Sequence, residues 1–357
     1  MININEKLDS LSKTRDYRNR LRQNPQLKNL FLELTIKCNE RCIHCGSSCG
    51  ETNKPELSLD QYKTILNQIS QDFNVKDIAL CITGGEPLLR KDFFDILGYA
   101  NSLGFNWGMT SNGTLITSEI ANKLYEVGMK TISISVDGLE ATHDAFRQTP
   151  GGYKKAITGI QNLINVGKFK HIQVTTVVTH QNIKELDELF SIFDKMDINS
   201  WRIINIEPIG RALHHSELLL TSEDYKYLMQ FIRNKRLEGE PVSYGCSHYL
   251  GLEYEQEVRD WYFLCIAGLQ TASITSTGDI IACLDIERRP EFIQGNILND
   301  RFKDIWFNKF HEFRRDLSDN CYKCQTCSEK DNCHGGSFHS WNFDENKPII
   351  CFKDILF

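Results

Sequence analysis

The cysteines of this chain restrict its fold more than any other feature, because eleven of the thirteen fall into two groups along 357 residues. We expect a cytoplasmic protein, since the sequence has no secretory signal and no apolar run long enough to span a membrane. Thiols in a reducing compartment serve metals or redox chemistry rather than disulfides. The two groups therefore predict two or more metal centres on different parts of the fold. In chain order the groups are Cys38, Cys42, Cys45 and Cys49, then Cys265, Cys283, Cys321, Cys324, Cys327, Cys333 and Cys351, with Cys81 and Cys246 between them.

Composition and charge are those of an ordinary globular protein, with 41% apolar and 25% charged residues. The formal net charge of -6 gives no overall attraction to nucleic acid or to an anionic membrane. We therefore expect neither as a partner. The length favours one large domain with a smaller appendage.

Short β-branched runs alternate with amphipathic segments from residue 31 to about residue 210, which predicts six strand–helix units around a parallel sheet. The sheet is either open or a partial barrel, and in both cases reactive groups belong at the carboxyl ends of its strands. Residues 1–30 are polar and predict a solvated helix or arm, with a peptide-docking surface as the alternative. Residues 211–245 read as a helical linker, and residues 246–357 as a loop-rich tail that buries little surface unaided and contains a hairpin turning at Gly278–Asp279. The predicted strands are Phe31 to Ile36, Asp77 to Ile82, Asn106 to Thr110, Thr131 to Val136, Ile172 to Val178 and Arg202 to Ile206.

Three cysteines, Cys38, Cys42 and Cys45, follow the first predicted strand with C-x3-C-x2-C spacing. Thiolates this close on one loop converge on one metal centre. A cube-shaped cluster has four irons, so three thiolates leave one iron open to a non-protein ligand. The alternative is a zinc knuckle with Cys49 as the fourth ligand, as in a zinc-stabilised binding protein.

The loop resembles the cluster motif of the radical S-adenosylmethionine superfamily, in which a cluster cleaves S-adenosyl-L-methionine to a 5'-deoxyadenosyl radical. The resemblance implies a partial (β/α)6 TIM-like barrel, a [4Fe-4S] cluster on Cys38, Cys42 and Cys45, and cofactor contacts at later strand ends. The motif TGGEP would contact the methionine amino group, Ser135 and Arg147 its carboxylate, and EPIGRA the adenine. Residues implied to bind the cofactor are Gly84, Gly85, Glu86, Pro87, Ser111, Asn112, Ser135, Asp137, Arg147, Pro208 and Gly210.

The tail resembles the SPASM domain, which carries auxiliary clusters, and we expect two auxiliary [4Fe-4S] clusters here. One is assigned to Cys324, Cys327, Cys333 and Cys351. This chain departs from the family pattern at Ser337, where the pattern has a cysteine four residues after Cys333. The other cluster is therefore assigned to Cys246, Cys265, Cys283 and Cys321, and the alternatives are an incomplete site, a smaller cluster or an open iron. Asp285 is a candidate catalytic base, Cys81 a buried core thiol, and Cys49 a spare thiol or a substrate contact.

The SPASM resemblance favours a ribosomally made precursor peptide as substrate, with a thioether, carbon–carbon or ether crosslink as product. A flavodoxin- or ferredoxin-type protein would supply electrons. We see no separate N-terminal leader-recognition domain, so leader capture would use the body of the fold or a partner protein. The rival functions are formylglycine formation on a sulfatase and a role in cofactor or porphyrin biosynthesis.

Overall fold

A computed structural model describes residues 3–50 and 54–357, and its centre is a curved sheet of ten strands. Seven consecutive strands, β1 to β7, run parallel in sequence order. The six strands expected from the alternating pattern are all present, each within a few residues of its predicted bounds. The strands are β1 Asn29–Glu33, β2 Ala79–Thr83, β3 Asn106–Ser111, β4 Met129–Ser135, β5 His171–Val178, β6 Ser200–Asn205, β7 Val242–Tyr244, β8 Thr271–Ile274, β9 Asp279–Ile281 and β10 Gly295–Asn296, and a separate pair is β11 Trp341–Asn342 and β12 Lys347–Pro348.

Helices cover the outside of the parallel strands, and their ends follow the signals in the sequence. Ser58 forms a capping box with Gln61 at the start of the helix Leu59–Asp72. Thr117 caps the helix Ser118–Glu126. The described chain has no helix of the length and apolarity that crossing a membrane requires. The helices are α1 Ile4–Gln23, α2 Leu59–Asp72, α3 Phe93–Ser102, α4 Ser118–Glu126, α5 Glu140–Arg147, α6 Gly152–Val166, α7 Leu186–Asp194, α8 Ser222–Leu237, α9 Gly251–Tyr254, α10 Phe302–Asn308, α11 Tyr322–Gln325, α12 Lys330–Cys333 and α13 Lys353–Leu356.

Alternate residues of each strand face the helices or the barrel interior. On β2, Leu80 and Ile82 are fully buried under the helices, whereas Cys81 is only half-buried. Cys81 is paired in register with Phe31, which lines the barrel interior. The prediction that Cys81 is a buried core residue was wrong in this respect, because its side chain points to the concave face.

The N-terminal helix α1 is not solvated all round, which corrects the expectation for residues 1–30. Its residues Leu11 and Leu21 are buried, and the Lys7 ammonium lies 2.8 Å from the Glu257 carboxylate. Arg18 and Arg22 both pair with Asp316. The basic residues that suggested a solvated arm find carboxylates more than 200 positions away in the sequence.

The tail joins the main sheet instead of forming a layer of its own. Strand β8 pairs in parallel with β1, and the predicted hairpin β8–β9 turns at Gly278, whose φ is +92°. The segment 211–245, expected to be helical, contains α8 and also the seventh parallel strand, β7. The tail has buried aromatic residues of its own that pack against one another. It therefore buries more apolar surface than its irregular sequence pattern indicated. The aromatic residues are Phe292, Phe302, Trp306, Phe310, Phe313 and Phe338.

Candidate functional site

The three clustered cysteines lie where the fold argument places reactive groups, on the loop that leaves β1. Cys38, Cys42 and Cys45 line one cavity of about 200 Å³ together with residues from the carboxyl ends of β2, β3 and β4. We call residues 38–49 the cluster loop and this space the cluster-loop cavity. Cys49 lines the same cavity, so the three cysteines of the motif, which suit a cluster with one open corner, have a fourth thiol beside them.

The glycine pair after β2 packs directly on the segment that joins β1 to the cluster loop. A Cβ on Gly84 would lie 2.3 Å from the carbonyl oxygen of Thr35, and one on Gly85 would lie 2.2 Å from that of Lys37. The Gly85 N–H donates to the Thr35 oxygen at 2.7 Å. The glycines are therefore required for the backbone of β2 to reach the loop, which is a reason that the sequence alone did not supply.

Glu86 is fully buried and organises the ends of β2 and β3. Its carboxylate accepts hydrogen bonds from the Ser111 hydroxyl at 3.0 Å, the Asn112 N–H at 2.9 Å and the Leu88 N–H at 3.2 Å. Burial raises the pKa of Glu86 to about 7, although these donors oppose the rise. The Asn112 side chain also donates to Asn39 in the cluster loop, at 2.8 Å.

A buried ion network supports the cluster loop from below. The Arg147 guanidinium donates to Asp137 through Nε and Nη2, at 2.9 and 2.7 Å, and to Glu40 through Nη1 at 2.7 Å. His44 Nε2 lies 3.1 Å from the same Asp137 oxygen. Burial opposes ionisation of Asp137, but Arg147 and His44 hold the pKa of that carboxyl well below its ordinary value.

The thiols of the loop differ in how readily they ionise. Burial raises the pKa of Cys42 to about 12. A hydrogen bond between Cys45 and Cys49 lowers the pKa of Cys45 and raises that of Cys49. Cys49 is buried, and its sulfur lies 3.4 Å from the Gly84 carbonyl oxygen. Cys49 therefore contacts Cys45 and lines the same cavity.

The segment after β6 clamps the cluster loop. Gly210 has φ +56°, and a Cβ there would lie 2.2 Å from the Gly46 carbonyl oxygen. Arg211 donates to the carbonyl oxygens of Cys42 and Cys49, both at 2.7 Å. Sequence reasoning missed Arg211, Glu40 and His44 as supports of the loop. The only signal was their position inside or beside the motifs.

The cluster-loop cavity adjoins two further spaces, with which it shares lining residues. Next to it lies the lumen cavity of about 470 Å³, which Cys246, Cys265 and Cys283 line. The outer groove, of about 450 Å³, continues from it past Leu213 and Trp341 to the surface. Asp285 lines all three spaces.

Four thiols of the tail surround a separate cavity of about 290 Å³, which we call the tail cavity. They belong to Cys324, Cys327, Cys333 and Cys351, the set that the sequence assigned to one auxiliary cluster. Cys321 does not line the lumen cavity, and its thiol hydrogen-bonds with Cys324 instead.

Comparisons with known proteins give the family. The sequence profile of the Radical SAM superfamily matches residues 32–192, and that of an iron–sulfur cluster-binding domain, SPASM, matches residues 265–328. The mycofactocin maturase MftC of Mycolicibacterium smegmatis is 33% identical over 314 residues, covering 86% of this chain and 77% of the relative. The chain belongs to the radical S-adenosylmethionine superfamily, in its SPASM subgroup.

A second relative and a solved structure extend this radical SAM assignment over nearly the whole chain. The AdoMet-dependent heme synthase of Nitratidesulfovibrio vulgaris is 27% identical over 352 residues, which cover 92% of this chain and 93% of the relative. The structure of Streptococcus suis SuiB bound to S-adenosylmethionine matches with a TM-score of 0.71 at 17% identity, covering 92% of this chain and 77% of SuiB. SuiB has also been solved bound to its precursor peptide SuiA. The fold is therefore the radical SAM partial barrel with a SPASM tail.

The radical SAM enzyme uses S-adenosylmethionine and [4Fe-4S] clusters. The cluster-loop cavity fits these groups, because cysteine thiols line it and Gly84 and Gly85 leave room for a ligand close to the backbone. Six of the residues expected to bind the cofactor line this cavity, whereas Glu86, Pro87 and Asp137 lie outside it, and Pro208 and Gly210 line the outer groove. The guanidinium nitrogens of Arg147 are engaged by Asp137 and Glu40, so its role toward a cofactor carboxylate stays a prediction. The six are Gly84, Gly85, Ser111, Asn112, Ser135 and Arg147.

The two auxiliary sites differ in how well they fit a cluster. The tail cavity offers four thiols and fits. The set proposed for the lumen cavity is not assembled, because Cys321 lies with Cys324. Ser337 is buried, with its hydroxyl 3.0 Å from that of Ser340, and the adjoining Phe338 N–H donates to Cys265. Ser337, at the position where the SPASM pattern expects a cysteine, thus precedes the residue whose N–H contacts Cys265.

Proposed function

We propose that this radical SAM enzyme modifies a ribosomally made peptide and installs a crosslink in it. The observation that carries the proposal is the continuous space from the outer groove through the lumen cavity to Cys45. Adjacent parts share lining residues, with Ile209 common to the outer two and His44 to the inner two. An open groove that leads inward to a reactive centre suits an extended chain entering from one end.

The relatives support a peptide substrate. MftC is named a maturase, and SuiB has been solved bound to a precursor peptide. The mouth of the outer groove presents apolar side chains beside charged ones, including Leu213, which is 62% exposed, and Arg289, which pairs with Asp344. A groove that presents apolar and charged residues side by side can bind a peptide that carries side chains of both kinds.

The cluster and cofactor, once bound, supply a carbon-centred radical that removes hydrogen from the substrate. The residues of this chain orient the parts around that event. Gly84 and Gly85 let the strand ends close on the cluster loop, and Arg211 holds its backbone from the other side. Asp285, at the junction of the three spaces, is placed to accept the proton that the substrate loses as the crosslink closes, and an auxiliary cluster would accept the accompanying electron. A flavodoxin- or ferredoxin-type donor and a leader-binding protein remain the predicted partners.

The test uses anaerobically reconstituted enzyme, dithionite and a peptide encoded by a short reading frame beside the gene. We expect 5'-deoxyadenosine formation coupled to a loss of hydrogen from the peptide by mass spectrometry. Leu213→Asp should raise the KM for the peptide by about tenfold, because it places a charge where an apolar side chain docks. Leu237→Asp is the matched control, since Leu237 is 60% exposed at the end of α8 outside the groove. Equal KM values for both variants would contradict the docking path.

A porphyrin substrate is the second candidate, because the heme synthase match spans 93% of that relative whereas the MftC match spans 77% of MftC. The same reconstituted enzyme is incubated with iron coproporphyrin in place of peptide. Product absorption and mass then separate the candidates. A sulfatase peptide that gains formylglycine would favour the remaining rival.

A further inference from the structure

Three donors of different chemistry meet at the ends of the last two parallel strands. Glu207 follows β6, and Cys246 and His248 follow β7. The strands pair in register from Trp201↔Val242 to Ile203↔Tyr244, so their carboxyl ends lie side by side. The carboxylate oxygen, the thiol sulfur and the imidazole nitrogen all lie within 4.8 Å of one another.

The group is largely enclosed, with His248 buried and the Glu207 side chain 10% exposed, and its hydrogen bonding is incomplete. Glu207 Oε1 lies 2.5 Å from His248 Nε2 and accepts from Asn205 Nδ2 at 2.9 Å. Glu207 Oε2 is buried and has no hydrogen-bond partner among the described residues. A simple Glu–His ion pair explains the first oxygen but leaves the second unpaired, and an unpaired buried carboxylate oxygen is costly. A cation bound to the carboxylate would remove that cost.

The spacing fits one ion rather than a cube-shaped cluster. Bonds of about 2.0–2.3 Å in a tetrahedral zinc site place neighbouring donors about 3.3–3.8 Å apart. Each thiolate of a cluster binds a different iron, which keeps those sulfurs farther from one another. Oxygen, nitrogen and sulfur donors together are also typical of zinc and not of an all-thiolate cluster.

We infer that Glu207, Cys246 and His248 form a binding site for a single zinc ion in the wall between the lumen cavity and the tail cavity. Glu207 and Cys246 line the lumen cavity, and His248 lines the tail cavity. The fourth position faces the lumen cavity, where the His339 ring lies 5.4 Å from the ring of His248. Cys246 then binds zinc and is withdrawn from the set proposed for an auxiliary cluster.

The first test needs only the wild-type enzyme with its clusters reconstituted anaerobically. After incubation with stoichiometric zinc chloride and desalting, we expect about one zinc per chain by plasma mass spectrometry. Zinc X-ray absorption should give one sulfur neighbour at about 2.3 Å and nitrogen or oxygen neighbours at about 2.0 Å. Two or more sulfur neighbours, or no retained zinc, would overturn the site.

The second test uses variants that keep the cluster loop intact. Cys246→Ser and His248→Gln should each weaken zinc binding by at least about 100-fold without changing the iron content. Cys81→Ser is the matched control, because Cys81 is a half-buried thiol on the interior face of the same barrel, and its zinc binding should equal that of wild type. Loss of about four irons in Cys246→Ser with zinc binding unchanged would return Cys246 to a cluster and overturn the proposal.

Discussion

The cluster loop and the tail cavity both gather thiols, but the chain holds them in place by different means. The cluster loop lies on the ends of parallel strands, and Arg147, Asn112 and Arg211 fix it through hydrogen bonds to Glu40, Asn39 and the Cys42 carbonyl oxygen. The thiols of the tail cavity lie on or beside helices α11, α12 and α13, each of which has only four residues. Helices this short do not persist through their own hydrogen bonds.

The difference indicates that the fold depends on bound metal to different degrees in the two regions. The protein pre-forms the radical SAM site, so the cluster binds to a loop that already has its shape. At the tail cavity the metal contributes folding free energy, because the backbone there has few other constraints. The same change, removal of thiols, should therefore have opposite consequences in the two regions.

The largest effect is expected at the cluster loop. Replacing Cys38, Cys42 and Cys45 by alanine should abolish 5'-deoxyadenosine formation, because no donors remain for the cluster that binds the cofactor. Hydrogen exchange in the parallel strands should stay as in wild type, since the supports of the loop are untouched. Cys81→Ala serves as the control and should retain cleavage. Rapid exchange throughout β1 to β4 in the triple variant would mean that the cluster itself holds the barrel together.

The converse experiment removes the thiols of Cys324, Cys327, Cys333 and Cys351. Amide exchange in α11 to α13 should accelerate by at least about tenfold, because local stability there depends on bound metal. The parallel strands should keep their protection, and cofactor cleavage without substrate should continue. Unchanged exchange in the tail would show that its aromatic residues suffice, and the contrast between the two regions would fail.

The third prediction removes the central cation of the ion network. Arg147→Met leaves Asp137 and Glu40 buried without their partner, and we expect a loss of about 3–5 kcal/mol in the free energy of unfolding by urea. Lys154→Met is the control, because the Lys154–Glu140 pair is exposed and its removal should leave the urea midpoint unchanged. Equal midpoints for the two variants would contradict a structural role for the network.

Sequence patterns predicted the barrel well because each strand carries its own signal. The alternation within β5 and the capping box at Ser58 are local features, and they needed no knowledge of distant residues. The pairing of α1 with Asp316 joins positions far apart in the chain, and the meeting of Glu207 with His248 joins the ends of different strands. Spacing cannot reveal such contacts, because they depend on how the elements pack.

Titration of the metal-free, reduced chain gives the smallest and last contrast, because the pKa of the buried Glu86 is raised in the barrel and the pKa of the partly buried Asp316 is lowered in the tail. The pKa of Glu86 is raised from 4.5 to about 7, so the native state binds the proton more tightly and stability should fall as pH rises through that interval, by up to about 3 kcal/mol. The pKa of Asp316 is lowered, because His334, Arg22 and Arg18 outweigh its burial. Its contribution is present above the ordinary pKa of 3.8 and is lost as pH falls below it.

Two amide variants assign the two phases of that titration to their regions. Glu86→Gln should flatten the change in thermal midpoint between pH 4.5 and 7 and leave the acid transition in place. Asp316→Asn should weaken the acid transition and leave the upper interval unchanged. If Glu86→Gln altered the acid transition instead, the barrel and the tail would share one titrating network, and they would not be the separately stabilised regions that the geometry indicates.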